Sequence, residues 1–212
     1  EPPTPPVAWA WPPPAVLHFD VTRGPRRGTA TLDWAPDGPP DAALDGVDYR
    51  LTLRIRWHDG DAPWHWHSEG RLDPVHGPRP RRFEDRRGRR GARALNLEDE
   101  GAEGPRRLRW SVHARALAAP AGVQDRLSWL LRLAADPQAA RAPAALPVAG
   151  PAGELQDWRW RAAGDDGAPA WHRRPERPYD TAVDWEPAPD GWPRTWSLSE
   201  ARGPALTLQR VG

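Results

Sequence analysis

Apolar and polar residues alternate along most of the chain, which is the pattern of half-buried β-strands. The alternation is clearest from Val47 to Trp57, where every second residue is apolar and the residues between are Asp, Arg or Thr. A turn sequence over residues 58–63 leads to a second run from Trp64 to Leu72. Together the two runs predict an antiparallel hairpin with one face toward a core.

Shorter runs of the same kind recur along the chain, separated by turn residues. Their apolar positions are Leu17, Phe19 and Val21; Ala30, Leu32 and Trp34; Leu108, Trp110 and Val112; Trp158 and Trp160; Val183 and Trp185; Trp196 and Leu198; Leu206 and Leu208. The sequence also contains 28 Pro and 19 Gly, which favours many short elements over long helices. We therefore predict a mainly β protein, built as a sandwich, a barrel or an open curled sheet.

Residues 123–137 break the alternation. Their apolar side chains follow helical spacing at Leu127, Leu130, Leu131 and Ala134. Asp125 lies near the predicted start, where a carboxylate meets the positive end of the helix dipole, and Pro137 ends the segment. The segment predicts one short helix packed against the β-structure.

Residues 1–14 (EPPTPPVAWAWPPP) are Pro-rich and predict an extended linker or stalk before a single β-rich domain at 15–212. Alternatively, Trp9 and Trp11 pack back onto that domain. The sequence has no Met and no apolar run long enough to span a membrane. We expect a signal peptide or membrane anchor to precede Glu1, which places the chain in the bacterial periplasm or cell envelope, tethered to or near a membrane.

Composition narrows the classes of function. The formal net charge is only +1, which argues against a general polyanion binder, so no nucleic-acid partner is expected. The absence of Cys excludes disulfides, thiolate metal sites and cysteine nucleophiles. The chain also lacks a nucleophile elbow, a P-loop and a dinucleotide-binding glycine motif. We expect neither catalysis nor a cofactor.

Several short motifs follow one another in a characteristic order. They are LHFDV at 17–21, GPRPRRF at 77–83 followed by EDRRGRR, QDRLS at 124–128, Tyr179 with Asp180, WEPAP at 185–189 and GWP at 191–193. In this order they resemble the bacterial domain of unknown function 3108 over roughly residues 15–210, with QDRLS the most specific part. Pro78, Leu97 and the altered WEPAP motif depart from the family's pattern.

The resemblance implies a fold and a compartment but no activity. Members of the family look like exported or membrane-tethered envelope proteins. Their fold is implied to be an antiparallel curled sheet or half-barrel, β-spiral-like, with one short helix packed against it, similar to periplasmic lipoprotein carriers. We therefore expect a non-catalytic binding or carrier module for a lipid, lipoprotein or peptide. The alternative is a structural or scaffolding protein that contacts an envelope partner.

Candidate ligand-binding residues follow from the alternation and from the QDRLS motif. The inward Trp57, Trp66 and Trp110 are predicted to line a ligand-binding concavity, with the alternative that they form a bulky core. Asp125 and Arg126 at the helix start are predicted either to line a pocket or to tie the helix to the sheet.

The Arg-rich stretch 79–93, which includes Arg82, has more than one interpretation. It resembles a nucleic-acid-binding segment, but acidic residues interrupt and follow it. Cross-strand pairing of the arginines with acids on a solvated face is the simplest alternative. Docking of these arginines onto anionic lipid phosphates is the functional one.

His65 and His67 are the best metal candidates that the spacing suggests, with His58 across the hairpin as a candidate further ligand. Residues i and i+2 of a strand share a face about 7 Å apart, so two imidazoles and Glu69 could meet one ion. A metal-dependent hydrolase would use this pair. Alternatively, the histidines simply face solvent, because Trp64 and Trp66 face the core. No further ligand is fixed by spacing, so no metal site is assigned.

Overall fold

The computed structural model describes residues 8–38, 44, 46–99, 105–163, 170–175, 177, 180–200 and 203–212. The protein is mainly β. Within these residues it has a sheet of 13 strands that is not closed into a barrel, a second sheet of three strands and one short helix. The predicted fold class, an antiparallel curled sheet with one helix packed against it, is confirmed. In the part of the chain that the structure describes, no helix is long and apolar enough to cross a membrane.

The strands and the helix have the following bounds. They are β1 (Ala15–Arg23), β2 (Arg26–Pro36), β3 (Asp48–Trp57), β4 (Trp64–Asp73), β5 (Gly77–Arg87), β6 (Arg93–Asp99), β7 (Arg106–Trp110), β8 (Ala116–Ala118), β9 (Gln124–Asp125), α1 (Ser128–Ala135), β10 (Leu146–Ala149), β11 (Leu155–Trp158), β12 (Arg161–Ala162), β13 (Trp171–Arg173), β14 (Ala182–Pro187), β15 (Pro193–Ser199) and β16 (Leu206–Arg210).

The larger sheet has the order β12-β13-β14-β15-β16-β1-β2-β3-β4-β5-β6-β7-β8. Each strand pairs antiparallel with its neighbour in sequence, except that β16 returns to pair with β1, with Val21 opposite Leu208. This meander places alternate turns at the same end of the sheet. The smaller sheet has the order β11-β10-β9, and β9 runs parallel to β10.

The alternating patterns predict the burial of the strands. In β3, Tyr49, Leu51, Leu53 and Ile55 are buried while the arginines between them are exposed. The predicted hairpin to β4 is confirmed, with Leu53 opposite Trp66. Two predicted extensions are wrong. β7 ends at Trp110, and Val112 lies exposed in the following turn. β11 ends at Trp158, so Trp160 lies outside that strand.

The predicted helix is present but begins later than its spacing suggests. Gln124 and Asp125 form β9 instead of a first helical turn, because Val148 and Ala149 of β10 pair with them. The helix begins at Ser128 and ends at Ala135. Its end precedes Pro137 because the residue before a proline, here Asp136, takes an extended conformation.

Aromatic side chains from the helix and both sides of the sheet meet in the interior. Trp129 of α1 lies with its ring centre 5.5 Å from that of Trp158 and 5.9 Å from that of Trp196. Trp196 in turn lies 6.5 Å from Trp66 on the far side of the curl. All four indoles are buried, so side chains fill the centre of the half-barrel.

Residues 8–14 of the predicted spacer contact the domain. The indole N–H of Trp34 donates to the Pro12 carbonyl at 2.9 Å, and the Ala10 N–H donates to the Ala135 carbonyl at 2.8 Å. Trp9 stacks on Trp11 and lies under the Arg132 guanidinium. Trp9 and Trp11 therefore pack back onto the domain, which is the second of the two predicted arrangements. Residues 1–7 lie outside the described residues.

Candidate functional site: an Arg–Trp groove at one end of the sheet

Turns that are distant in sequence meet at one end of the curled sheet. They are the turns β1–β2, β3–β4, β5–β6 and β15–β16, which the antiparallel meander directs the same way. Between the first three of these turns lies an open groove of about 650 Å³, which we call the Arg–Trp groove. Its lining residues are Arg23, Arg26, Asp61, Trp64, Arg87, Gly88, Arg89 and Arg90.

Arg26 is fixed in the wall of the groove. Its guanidinium carbon lies 4.2 Å from the ring centre of Trp57, a cation–π contact. Its Nε donates to Asp59 Oδ2 at 2.8 Å and its Nη2 to Asp61 Oδ2 at 2.9 Å. The hydrogen bond from Arg26 holds the pKa of the Asp59 carboxyl below its usual value. The positive charge of Arg26 is therefore already neutralised by two carboxylates.

Arg87 is fixed in the same manner on the other side. It forms a two-pronged contact with Glu200, Nη2 to Oε1 at 2.8 Å and Nη1 to Oε2 at 3.0 Å. Its Nε donates to the buried Asp85, and its guanidinium carbon lies 4.9 Å from the ring centre of Trp64. Burial opposes the charged form of Glu200, but the hydrogen bonds from Arg87 prevail and the pKa of this carboxyl is lowered. This pair stays ionised at neutral pH.

Three arginines of the groove have no carboxylate partner among the described residues: Arg23, Arg89 and Arg90. Arg23 lies over the Trp64 ring at 5.3 Å, and the other two are exposed in the β5–β6 turn. Among the residues that the structure describes, none of the three has a carboxylate within ion-pair distance. The groove therefore presents unneutralised guanidinium groups beside fixed ones. Guanidinium forks of this kind bind carboxylates and phosphates through paired hydrogen bonds.

The predicted tryptophans face inward but do not line an open concavity. Trp57 lies under Arg26, and Trp66 donates its indole N–H to Asp85 at 3.0 Å, so both form the floor beneath the groove. Trp110 lies elsewhere, on β7, where it donates to the Gly150 carbonyl at 2.7 Å. All three are 3–5% exposed, because the helix and neighbouring indoles fill the interior. A ligand in the present conformation would not touch them.

Arg82 lies on the opposite, solvated face of the sheet. Its neighbour Phe83 points into the core, so the alternation of the strand directs Arg82 outward. There it donates to Glu84 Oε1 at 2.9 Å and to Asn96 Oδ1 at 2.9 Å. Arg82 therefore faces solvent, as the solvated-face alternative predicts, but its acid partner Glu84 is on its own strand and its cross-strand partner Asn96 is an amide. Arg82 is not part of the Arg–Trp groove.

Asp125 joins the start of the helix to the sheet. Its Oδ2 accepts the Ser68 hydroxyl at 2.6 Å, and its Oδ1 accepts the N–H groups of Leu127 and Ser128 at 2.8 and 2.7 Å. In return the Ser128 hydroxyl accepts the Asp125 N–H at 2.9 Å. The carboxyl is fully buried, and burial raises its pKa to about 6 despite these hydrogen bonds. In this chain the spacing of three residues between Asp125 and Ser128 allows these reciprocal bonds.

Arg126 also has a structural position. Its Nη2 donates to Glu154 Oε1 at 2.8 Å, and its guanidinium carbon lies 5.5 Å from the Trp158 ring centre. The side chain is almost fully buried. Arg126 therefore ties the helix start to the segment before β11, and neither it nor Asp125 reaches the groove.

His65 and His67 share the outer face of β4, as the spacing predicts. His65 Nε2 accepts Arg54 Nε at 2.8 Å, and His67 Nδ1 lies 2.9 Å from the Thr52 hydroxyl. Glu69 lies 3.4 Å from the other nitrogen of His67. Partial burial and the nearby Arg54 lower the pKa of His65. Within the described ranges no group of three His, Asp or Glu side chains is placed to hold a metal ion.

The residues that line the groove were not individually singled out as a site from the sequence. Arg87, Arg89 and Arg90 belong to the Arg-rich stretch, but the sequence does not show which of its arginines lack a carboxylate partner. Turn positions in an up-and-down meander are the one sequence signal that groups Arg23 with the β5–β6 turn. Tyr179 and residues 100–103, which contributed to the motif and charge interpretations, lie outside the described residues.

Comparison with known proteins adds no relative. No protein-family model matches the chain, and neither the curated proteins nor the solved structures gave a significant match.

Proposed function

We propose that this protein is a non-catalytic binding module of the bacterial cell envelope that holds the phosphate head group of a lipid in the Arg–Trp groove. The observation that carries the proposal is the set of unneutralised guanidinium groups at Arg23, Arg89 and Arg90 around an open groove. Arg26 and Arg87 support it, since carboxylates and indole rings hold them in place before any ligand arrives. Preorganised donors lower the cost of binding.

The lipid assignment rests on the compartment and the shape. Membership in the family of unknown function 3108 is part of this proposal, and with it the export of the chain to the periplasm. A near-neutral chain that concentrates unpaired Arg at one end suits a localised anionic group better than a long polyanion. Anionic phospholipid head groups are the abundant ligands of that kind at a membrane surface.

A scaffolding role is the second candidate. Side chains fill the interior, as a purely structural domain requires, and β8 and β12 are the two edges of the larger sheet. In the described part of the chain each edge strand has one side without a strand partner, which can accept an added strand. Crosslinking of a specific partner protein to β8 or β12, with no lipid bound to the chain, would favour this candidate.

Vesicle co-sedimentation tests the lipid proposal. The purified chain should sediment with vesicles containing phosphatidylglycerol and remain in solution with pure phosphatidylcholine. Each Arg near an anionic surface contributes about 1 kcal/mol, so the double variant Arg89→Gln, Arg90→Gln should bind about thirtyfold more weakly. Arg141 and Arg161 are exposed elsewhere and give a control pair with the same charge change. Equal losses in both pairs, or no preference for anionic vesicles, would contradict the proposal.

A further inference from the structure

Beneath the Arg–Trp groove, two sides of the curled sheet meet without strand pairing. On one side are β4 and β5, on the other β15 and β16, and the sheet order separates them by β1, β2 and β3. We call the line where they meet the seam. A narrow gap of about 10 Å³ lies in it, lined by Arg23, Trp64, Trp66, Arg87, Leu198, Glu200, Pro204 and Leu206. This space is large enough for about one water molecule.

The lining of the seam changes from charged to apolar with depth. Arg87 and Glu200 are partly exposed at the top, while Trp66, Leu198 and Leu206 below them are buried. The gap shares Arg23, Trp64 and Arg87 with the groove above it. A charged groove is therefore continuous with an apolar seam, which is the polarity profile of an anionic amphiphile.

The contact between Arg87 and Glu200 covers the seam. The carboxylate of Glu200 occupies the guanidinium fork of Arg87 in the two-pronged geometry that a phosphate also adopts. Glu200 is about half exposed, so it can turn into solvent without leaving a buried charge. A phosphate arriving in the groove can thus take its place on Arg87 and leave the arginine paired.

We propose that the ligand of the Arg–Trp groove is an anionic phospholipid with one acyl chain, and that the chain enters the seam beside Trp64 and Leu206 when phosphate displaces Glu200 from Arg87. The proposal rests on the proposed function of the groove and specifies its ligand. Opening the seam exposes apolar side chains to water, which is unfavourable. An acyl chain would cover these side chains, whereas a head group alone would leave them exposed to water. Affinity should therefore depend on the chain as well as on the phosphate.

Calorimetric titration with lysophosphatidic acids of increasing chain length, below their micellar concentrations, tests this. Affinity should rise about fourfold for each added methylene that enters the seam, because each buried CH₂ contributes a fixed increment. Glycerol 3-phosphate should bind weakly, and lysophosphatidylcholine of equal chain length should bind more weakly than the phosphatidic form. Affinity that is the same for glycerol 3-phosphate and every chain length would overturn the seam inference while leaving a head-group site intact. Absence of binding by all of these probes would overturn both proposals.

A variant of Glu200 provides an independent readout. Glu200→Gln keeps the shape of the side chain but weakens its hold on Arg87, so lysophosphatidic acid should bind up to about fivefold more tightly. Glu98→Gln is the matched control, because Glu98 also pairs with an exposed arginine, Arg109, at 2.8 Å, on the solvated face. Unchanged or weaker binding by Glu200→Gln, relative to Glu98→Gln, would contradict a competing role for Glu200.

Discussion

The Glu200 carboxylate binds the Arg87 guanidinium through two parallel hydrogen bonds of 2.8 and 3.0 Å, although the two residues are 113 positions apart. Arg87 ends β5 and Glu200 follows β15, strands that the sheet order keeps apart. The pair therefore joins the two sides of the curl at the end where the Arg–Trp groove lies. It also neutralises one guanidinium group of the groove, that of Arg87.

The two partners of this ion pair should contribute unequally to stability. Among the described residues, Arg87→Met leaves the 1% exposed Asp85 with Arg93 and the Trp66 indole as its side-chain partners. The free energy of unfolding should therefore fall by about 2–3 kcal/mol. Glu200→Gln removes only a half-exposed carboxylate and should cost less than about 1 kcal/mol. Urea denaturation of both variants measures the difference. Similar losses would show that Asp85 does not depend on Arg87.

Asp125 should make stability depend on pH. Its folded pKa is about 6 while the ordinary value is 3.8, so between these values the unfolded chain releases a proton that the folded chain keeps. The contribution of Asp125 to the free energy of unfolding is therefore highest below pH 4 and falls by about 3 kcal/mol as pH rises past 6.

The variant Asp125→Asn isolates this effect. Its Oδ1 still accepts the N–H groups of Leu127 and Ser128, and its amide can donate to Ser68 Oγ in place of accepting from it. In urea denaturation at several pH values, the free energy of unfolding of the variant should rise relative to that of the wild-type chain as pH rises from 4 to 7. A difference that stays constant with pH, or that shrinks, would be inconsistent with a raised pKa at Asp125. Asp125→Ala, which leaves these donors unpaired, should be destabilised at every pH.

Gly70 should not tolerate a side chain. It lies at the register shift between β4 and β5, where a Cβ atom would be 2.2 Å from the Arg79 carbonyl oxygen. Backbone atoms cannot move aside cheaply, so Gly70→Ala should lower the free energy of unfolding by about 1–3 kcal/mol or more. Gly91→Ala is the control, because no heavy atom lies within 4 Å of its added Cβ and its φ is not positive. Equal stability of the two variants would mean that the strands pair in another register.

Local patterns predict which way a side chain faces but not which distant strand it meets. The alternation in β3 and β4 correctly places Leu53 and Trp66 in the core and His65 outside it. The pairing of β1 with β16, and with it the approach of Glu200 to Arg87, has no local signal because it depends on how far the whole sheet curls. The sequence also does not show what fills the space inside the curled sheet. For that reason it could not decide whether the Trp residues line a ligand concavity or form a core.

The helix start shows a second limit of sequence patterns. Gln124 and Asp125 fit helical spacing as well as they fit a strand, and only the partner strand β10, more than twenty residues later, decides between them. The Arg-rich stretch is similar. Strand alternation separates the outward Arg82 from the inward Phe83. The guanidinium groups that remain unneutralised are identified only when the acids around them are located.

Native mass spectrometry of the protein purified gently from bacterial envelopes tests the central claim most directly. We predict a discrete added mass that matches an anionic phospholipid or its single-chain form on the wild-type chain. The added mass should be absent or strongly reduced in Arg89→Gln, Arg90→Gln and retained in the control Arg141→Gln, Arg161→Gln. A bare polypeptide mass that persists after lipid is added, or the same lipid mass in both variants, would contradict lipid binding at the Arg–Trp groove.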